Sequence, residues 1–488
     1  MSVSVASVRE FKPYRLWGGL MFLTIGYGFV LAIIRHGLGG FAYIGEGLWT
    51  IVTSPALLFH DYIALAGIAP AFVNAGLTSL IMLAAFKLSK QPCSGSQMAV
   101  CGLVMGFALM GKNFVNILPI LFGAYLYSLY KKTPHSEHVT VSGFATCFAP
   151  IISQPAHIPE VVNLIGVGGG MALGAGLGLF LGFIINAVAA NIRKSHEGLN
   201  LYNIGWAAGL VGIAITVIYT VIGIERFGPG VDAGVILGGY PICAYGFQII
   251  DDFGNPVFFS PVGFYNWYLY GYIIFVSLYF ITFGLLAGGK LSELKLVLSL
   301  RAGDAKYLNN FHAKYGQARV YLAMGFLGLF LFTLTFPFGV NLTGPIIGAI
   351  MSIIGFGGFG KSVVNAGAII AGVFTAALIR YFVVEDFFRS GVSLLTYWQT
   401  QTVIWTSAFW GTCLSPMARF FGWKWAIPIG MVHFAFAYTI APFHWGQILY
   451  NNGLAAGFVC MVMIPIIRAI DKKGKYAPEN VYPEVKEV

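Results

Sequence analysis

The chain reads GKNFVN at Gly111–Asn116 and GKSVVN at Gly360–Asn365, 249 residues further on. Each copy lies between two apolar stretches and places an asparagine four residues after a lysine. Two longer motifs repeat in the same order: TCFAP at Thr146–Pro150 with TCLSP at Thr412–Pro416, and HEGLNLYNIGWAAG at His196–Gly209 with HWGQILYNNGLAAG at His444–Gly457. Three motifs in one order, at nearly one spacing, predict an internal duplication.

The spacing of the motifs also shows where the two copies differ in length. The first and third motifs recur after 249 and 248 residues, whereas the middle motif recurs after 266. About 17 residues are therefore inserted before the middle motif in the second half. A compensating excess in the first half lies in the glycine-rich stretch that follows Pro150.

The composition places both copies in a membrane. Hydrophobic residues make up 58% of the 488 residues and charged residues only 9%, and the mean hydropathy is +0.78. A soluble domain carries about 25% charged residues, so most of this surface must face lipid. We therefore predict an all-α polytopic membrane protein. We attribute the net charge of +10 to cytoplasmic loops and expect no nucleic-acid partner.

A membrane-spanning helix needs about 20 apolar residues, and the hydropathy pattern predicts seven membrane segments in each half. They lie near residues 14–36, 64–88, 96–111, 114–130, 140–156, 164–191 and 201–224, and near residues 264–287, 319–338, 342–358, 363–384, 397–416, 424–442 and 451–470. Because seven is odd, the second half enters the membrane from the opposite side. The sequence thus predicts a 7+7 inverted repeat.

The basic residues agree with this count. With the N-terminus in the cytoplasm, the segments on the cytoplasmic side contain all but five of the 28 Lys and Arg residues, the exceptions being Arg35, Lys112, Arg226, Arg380 and Arg389. Such a bias is typical of membrane proteins, and it predicts that both termini are cytoplasmic. The predicted parts are a first membrane repeat (1–224), an extracytoplasmic connector (225–263), a second, inverted repeat (264–470) and a cytoplasmic tail (471–488).

Some of the predicted segments are short or contain a proline, namely 96–111, 114–130, 140–156 and 397–416. We expect broken helices or re-entrant hairpins among them. Replacing two short spans by one hairpin keeps the number of crossings odd, so the inversion does not depend on this choice.

The paired GK(N/S)xVN and HxGxxLYNxGxAAG motifs resemble those of a family of bacterial membrane proteins known only as a tandemly repeated domain of unknown function. The resemblance covers nearly the whole chain. It implies a multi-pass protein of the bacterial cytoplasmic (inner) membrane, and it implies no activity and no site residues.

Inverted repeats are a common construction of secondary transporters, with the solute site near the midplane between broken helices. We therefore predict a secondary active transporter for a small polar or anionic solute, coupled to sodium or protons. A lipid-carrier flippase and a passive channel remain alternatives. The one GxxxxGK[ST] match, Gly355–Ser362, lies at the end of a predicted membrane segment and not between a predicted strand and a helix. No HExxH occurs, and no GxSxG lies in a strand-to-helix context, so an ATP-driven pump or a membrane enzyme is not supported. We predict no cofactor, and we leave the oligomeric state open between a monomer and a homo-oligomer.

The first motif supplies the residues that we predict to bind solute. Lysines Lys112 and Lys361 are each followed by an asparagine four positions later, and residues i and i+4 share one face of a helix. The predicted solute-binding residues of this motif are Lys112, Asn113, Asn116, Lys361, Ser362 and Asn365. The simpler interpretation is that the lysines anchor the ends of the spans in the headgroup region.

The middle motif adds Thr146 and Thr412 as predicted solute ligands. Each threonine precedes a proline that frees a backbone carbonyl, which is tolerated in a membrane only where protein or water binds it. The simpler interpretation is a packing kink in which each threonine bonds its own helix.

We predict ion-coupling or gating roles for one acid and for the third motif: Asp61, His196, Tyr202, Asn203, His444, Tyr450 and Asn451. Histidine titrates near neutral pH, and an ionisable residue inside a membrane indicates function. A helix-start cap with close packing is the simpler interpretation of the third motif, and Asp61 has only an asparagine, Asn310, at the equivalent position. The six dispersed cysteines contain no CxxC pair, so we predict no metal site.

Overall fold

The computed structural model describes residues 10–58, 60–224, 265–300, 310–383 and 393–476, with four short strands in the connector. The helices are α1 (Pro13–His36), α2 (Gly40–Val52), α3 (Tyr62–Ala66), α4 (Ile68–Leu88), α5 (Gly95–Phe107), α6 (Leu118–Lys131), α7 (Val139–Ala145), α8 (Ala149–Ser153), α9 (Pro159–Ile192), α10 (Asn203–Val221), α11 (Tyr265–Leu286), α12 (Leu294–Leu298), α13 (Phe311–Thr335), α14 (Gly344–Phe356), α15 (Val363–Val383), α16 (Leu394–Thr400), α17 (Thr402–Gly411), α18 (Ser415–Phe421), α19 (Trp423–Thr439) and α20 (Asn451–Ile470).

The predicted connector contains the strands. They are β1 (Ile236–Leu237), β2 (Tyr240–Cys243), β3 (Gly246–Ile250) and β4 (Pro256–Phe258), and they pair antiparallel in chain order. The connector's aspartates lie outside the described residues.

The described part of the chain is a helical membrane protein. It contains eight stretches that are long and apolar enough to cross a membrane: Pro13–Val52, Ile68–Leu88, Pro159–His196, Asn203–Val221, Asn266–Leu286, Phe311–Phe338, Val363–Val383 and Asn451–Ile470. The other predicted segments hold shorter or broken helices. Helices α5 and α14 have 13 residues each, which corresponds to a rise of about 20 Å. The hydrocarbon core is about 30 Å thick, so these two helices are too short to span it alone.

The duplication is visible in the order and the lengths of the helices. Helix α9 has 34 residues, whereas its counterpart α19 has 17, and this difference accommodates the glycine-rich excess of the first half. Conversely, α15 has 21 residues and its counterpart α6 has 14. Each half therefore has one helix that is longer than its counterpart in the other half.

Helices α5 and α14 form the centre of the molecule, and they pack antiparallel on each other. A Cβ added to Gly102 would lie 2.7 Å from the carbonyl oxygen of Met351, the residue equivalent to Gly102 itself. The contact continues between Gly106 and Gly348, so the chain directions are opposite. Glycine is required here because the two backbones touch, and such small-residue contacts are typical of helix pairs in membranes.

Two other pairs of equivalent helices repeat this arrangement. Helices α10 and α20 meet where the Cα atom of Gly453 lies 2.9 Å from the Cβ position of Gly205, and these two glycines are equivalent residues. The first long helices, α1 and α11, are joined by hydrogen bonds from Tyr279 to the Leu16 carbonyl and between the Thr24 and Tyr272 hydroxyls, both 2.7 Å long. In each pair the counterparts run antiparallel.

We expect Gly106→Ala to destabilise the protein. Its new methyl group would press on the Gly348 carbonyl, and overpacking of this kind costs about 1–3 kcal/mol. Gly176→Ala is the matched control because Gly176 also lies inside a helix but has nothing within 4 Å of its Cβ position. Thermal unfolding in detergent should show a lower midpoint for Gly106→Ala only. Equal midpoints for the two variants would contradict the close packing of α5 on α14.

Candidate functional site

The repeated lysines lie in tight turns that follow the two central helices. The Lys112 amide donates to the Phe107 carbonyl over 3.2 Å, and the Lys361 amide donates to the Phe356 carbonyl over 3.1 Å. The preceding glycine of each motif has a left-handed φ, 77° in the first half and 108° in the second, which favours glycine. Both lysine side chains are fully buried. The glycine thus reverses the chain and turns the lysine into the protein interior.

Each lysine ammonium binds a tyrosine of the opposite half. Lys112 Nζ donates to the Tyr450 hydroxyl over 2.7 Å, and Lys361 Nζ donates to the Tyr202 hydroxyl over 2.9 Å. The first and third motifs therefore meet across the two halves. The sequence did not predict these pairs, although the equal repetition of both motifs was a signal that they belong together.

Aromatic rings surround both ammonium groups. Lys112 Nζ lies 4.7 Å from the ring centre of Tyr450 and 5.1 Å from that of Phe107. In the other half, Lys361 Nζ lies 4.6 Å from the ring centre of Tyr202 and 4.8 Å from that of Phe356. Ring faces attract cations within about 6 Å, so the two halves build the same cation site.

Neither ammonium forms an ion pair within the described part of the chain, where the two salt bridges join Arg319 to Glu293 and Arg468 to Glu197. An ammonium has three N–H donors, and the tyrosine accepts one of them. Removing a cation from water without a counter-ion costs several kcal/mol. Each Lys–Tyr pair therefore has the charge and the remaining donors to receive an anion.

The asparagines of the first motif do not share a helix face with the lysines, so that local prediction is wrong. Residues 112–117 form no helix. The Asn116 side chain accepts from the Asn113 amide over 2.8 Å and donates to the Gly111 carbonyl over 3.1 Å. Asn365 bonds the Ser362 amide and the Gly360 carbonyl in the same way, over 2.7 and 3.1 Å. These amides hold the lysine turns in shape.

The middle motif forms a bend on which the opposite half docks. Thr146 and Thr412 each donate to a carbonyl of their own helix, over 2.7 and 2.5 Å, which agrees with the simpler interpretation. The Cys147 carbonyl accepts from the Leu449 amide over 3.2 Å, and the Cys413 carbonyl accepts from the Leu201 amide over 3.0 Å. The bends thus fix the loops that carry Tyr450 and Tyr202.

The histidines and asparagines of the third motif hold these loops from within. His196 Nε2 bonds Asn203 Oδ1 over 2.8 Å, and His444 Nε2 bonds Asn451 Oδ1 over 3.0 Å. Both asparagine amides also donate to carbonyls of the preceding long helix. The motif therefore places its tyrosine immediately before α10 or α20. Its predicted role in ion coupling stays a prediction.

Asp61 is a helix cap that joins the two halves. Its carboxylate accepts from the Ile63 and Ala64 amides of its own half, and from the Gly344 amide at the start of α14 over 3.0 Å. Its counterpart Asn310 accepts from the amide at the start of α5 over 3.1 Å. An amide oxygen can therefore perform the same capping in the other half.

A cavity of about 420 Å³ opens on one side of the molecule and reaches both tyrosines. Arg193 and His196 contribute to its lining, together with the hydroxyls of Ser94, Ser96 and Thr140. No aspartate or glutamate is among the described residues that line it. The electrostatic character of the cavity thus suits a solute with negative charge.

The equivalent region on the opposite side is shut. Phe144 and Phe359 line the cavity and are partly exposed, whereas their counterparts Trp410 and Met110 are 1% and 0% exposed. The Trp410 ring stacks on Phe107 with 4.7 Å between centroids and 17° between planes. The equivalent rings of Phe144 and Phe356 are 6.1 Å apart and inclined by 50°. The Trp410–Phe107 stack therefore forms a closed gate on one side. The equivalent Phe144–Phe356 pair forms an open gate on the side of the cavity.

The two Lys–Tyr pairs lie at different depths. Helices α5 and α14 cross at Gly102 and Met351, and Phe107 and Phe356 each lie five residues beyond that point in opposite directions. At a rise of 1.5 Å per residue, the aromatic residues beside the two ammonium groups are about 15 Å apart along the helices. A solute of a few atoms can therefore contact only one lysine at a time.

We expect Asp61→Asn to fold as stably as the unmodified protein, because the amide oxygen can replace the capping carboxylate as it does at Asn310. Asp61→Ala loses these hydrogen bonds and should lower the free energy of unfolding by about 1–2 kcal/mol. Thermal unfolding of the two variants measures the difference. A loss of ion-dependent uptake in the stable Asp61→Asn protein would instead favour the predicted coupling role.

No group of His, Cys, Asp and Glu among the described residues could hold a metal ion. No curated protein and no solved structure matches the chain. The family described as protein of unknown function (DUF1576) matches twice, over residues 42–221 and 292–469. Both matches begin after the first long helix of their half and include the complete set of repeated motifs. The chain is therefore a member of the DUF1576 family that contains two copies of its domain.

Proposed function

We propose that the protein is a secondary transporter that moves a small anionic solute across the bacterial cytoplasmic membrane by alternating access. The observation that carries the proposal is the pair of unequal gates: a cavity that reaches both tyrosines opens on the side of Phe144 and Phe359, whereas their counterparts Trp410 and Met110 are buried. Coupling to protons or sodium is part of the proposal.

The antiparallel packing of equivalent helices supports an inverted repeat. A rotation that exchanges two antiparallel helices has its axis perpendicular to them, and for membrane helices that axis lies in the membrane plane. The three pairs α1/α11, α5/α14 and α10/α20 all meet this condition. We propose the 7+7 count for the same reason, with eight long helices and with shorter helices and broken pairs as the remaining segments.

An inverted repeat gives a physical reason for two conformations. Each half can adopt the arrangement of the other at similar energy, so exchanging the two arrangements opens one side as it shuts the other. In the conformation described here, the cavity opens beside Arg193 and Ser94. The distribution of basic residues favours a cytoplasmic location for this side and for both termini.

The cavity chemistry favours an anionic solute over a lipid or a neutral metabolite. Its mouth carries Arg193, its wall carries hydroxyls, and beyond its floor lies the buried Lys361 ammonium bonded to Tyr202. A carboxylate or phosphate oxygen could replace the tyrosine as acceptor and gain a charge-assisted hydrogen bond. We therefore assign Lys361 and Tyr202 to the solute site that faces the cytoplasm, with Ser362 and Asn365 shaping its turn.

We expect anionic metabolites to raise the melting temperature of the purified protein, because a ligand of the folded state stabilises it by mass action. Screening a panel of carboxylates, phosphates and sulfate, with and without sodium and across pH, identifies the solute. Lys361→Met should abolish the shift while leaving the protein folded, since an apolar side chain of similar length replaces a buried cation. Lys424→Met, at an exposed lysine, is the control. A shift that survives Lys361→Met would refute the assigned site, and stabilisation by lipid alone would favour the flippase.

We expect a thiol at position 359 to react and a thiol at the equivalent position 110 to stay unreactive. Phe359→Cys lines the open cavity, whereas Met110→Cys lies behind the closed gate. The background replaces Cys93 and Cys243 by serine, because the other four cysteines are buried. A membrane-impermeant maleimide should label Phe359→Cys in inside-out vesicles only. Equal labelling from both faces would indicate a continuous channel.

A further inference from the structure

Several buried polar groups beside the closed gate have no hydrogen-bond partner. Both ring nitrogens of His60 and both side-chain amide atoms of Gln447 are unpaired, and the hydroxyl of Tyr62, which faces Ser54 and Asn113, makes no close hydrogen bond. These side chains are 2%, 0% and 0% exposed. An unpaired buried polar group costs about 1–3 kcal/mol, and nearly all such groups in proteins are paired. Three neighbouring exceptions therefore indicate a place that receives another molecule.

These groups lie around the turn that carries Lys112. The Leu58 amide donates to the Gly446 carbonyl over 2.9 Å, so the segment before His60 meets the loop of Gln447. The Gly111 Cβ position lies 3.3 Å from the Ala56 carbonyl and also contacts Leu449. The rings of His60 and Tyr62 are 5.5 Å apart. Two segments with unpaired polar side chains thus pack on the lysine turn of the first half.

The internal duplication does not account for the polar side chains at positions 62 and 447. Tyr62 corresponds to Phe311 and Gln447 corresponds to Leu199, so the equivalent residue in the opposite half is apolar in both cases. The gate is shut by aromatic rings and does not need polar groups for packing. The polar character of Tyr62 and Gln447 is therefore not repeated at the equivalent positions of the other copy.

We propose that Lys112, Tyr62, Gln447 and His60 form a second anion-binding site, which opens to the face opposite the cavity when Trp410 leaves Phe107. The inference rests on the proposed alternating access and adds a separate outer site for carboxylate or phosphate-type oxyanions. The donors are two free N–H groups of the Lys112 ammonium, the tyrosine hydroxyl, the glutamine amide and one imidazole N–H.

The titratable groups nearby do not supply a competing acceptor. The Asp61 carboxylate, next to His60 in the chain, already accepts from three backbone amides, those of Ile63, Ala64 and Gly344. Cys147 is buried beside Lys112, and Tyr450 accepts the one hydrogen bond that the ammonium donates. Within the described ranges of the chain, the remaining donors therefore face no anionic group.

The first test uses the gate. Met110→Cys combined with Trp410→Ala should react roughly tenfold faster with an impermeant maleimide applied from the extracytoplasmic face, because the lost stacking favours opening. Trp410→Phe, which copies Phe144 of the other half, keeps an aromatic gate and is the control for folding. The same slow rate in the Trp410→Ala and Trp410→Phe proteins would overturn the assigned gate.

The second test uses anion protection of the opened Met110→Cys, Trp410→Ala protein. Succinate, inorganic phosphate and sulfate are the probes, with choline chloride at equal ionic strength as the reference. We expect at least one probe to slow labelling, Lys112→Met or the double variant Tyr62→Phe, Gln447→Leu to abolish this protection, and Lys361→Met to leave it intact. Protection that survives Lys112→Met, or no protection by any probe, would overturn the outer site.

These outcomes are separable from failure of the proposed function. The transporter proposal depends on anion binding at Lys361 and on labelling of Phe359→Cys from the cytoplasmic face. Anion binding at Lys361 without protection at position 110 would reject only the outer site. Absence of anion effects at both positions, in folded proteins, would reject both proposals.

Discussion

Two buried ammonium groups that have no carboxylate partner among the described residues are the constraint on which the rest of the structure depends. A lysine in a low-dielectric interior is tolerated only if hydrogen bonds and aromatic faces offset much of its desolvation. Here the offset comes from a tyrosine of the opposite half, which bonds Lys112 over 2.7 Å and Lys361 over 2.9 Å. Neither half can complete its own lysine site, so the charge binds the two repeats into one structure.

Other contacts that are repeated in the two halves position these tyrosines. Each tyrosine precedes a long helix, in a loop held by a His–Asn pair and docked on the bend of the other half. The lysines follow the glycine-lined helices α5 and α14, whose backbones touch. Close backbone contact limits relative sliding of the two central helices. The motion between conformations is therefore expected at the aromatic gates and the surrounding helices, where side chains rather than backbones meet.

The two halves share one order of helices but differ at several residues around the two Lys–Tyr pairs. The stacked Trp410 and Phe107 shut one side, while smaller and more separated rings leave the other side open. The capping acid Asp61 has a neutral counterpart, and the polar residues Tyr62 and Gln447 have apolar ones. A symmetric protein would treat both faces of the membrane equally. In the proposed transporter, these differences would allow the inner and outer sites to differ in affinity.

The sequence by itself determined the membrane class, the duplication and the motifs that build the site. Composition and period are local properties, so the apolar segments, the 17-residue length difference and the glycine turns before Lys112 and Lys361 could all be read directly. Only the tertiary structure decided which motifs meet. The Lys–Tyr pairs join residues 338 and 159 positions apart. The i, i+4 argument for Asn116 failed because helix α5 ends at Phe107 and residues 112–117 form no helix. Asp61 likewise could not be recognised as a cap on α14, because its partner Gly344 lies 283 positions away. The open and closed gates were equally hidden, since near-identical motifs adopt different packing only after both halves have folded around each other.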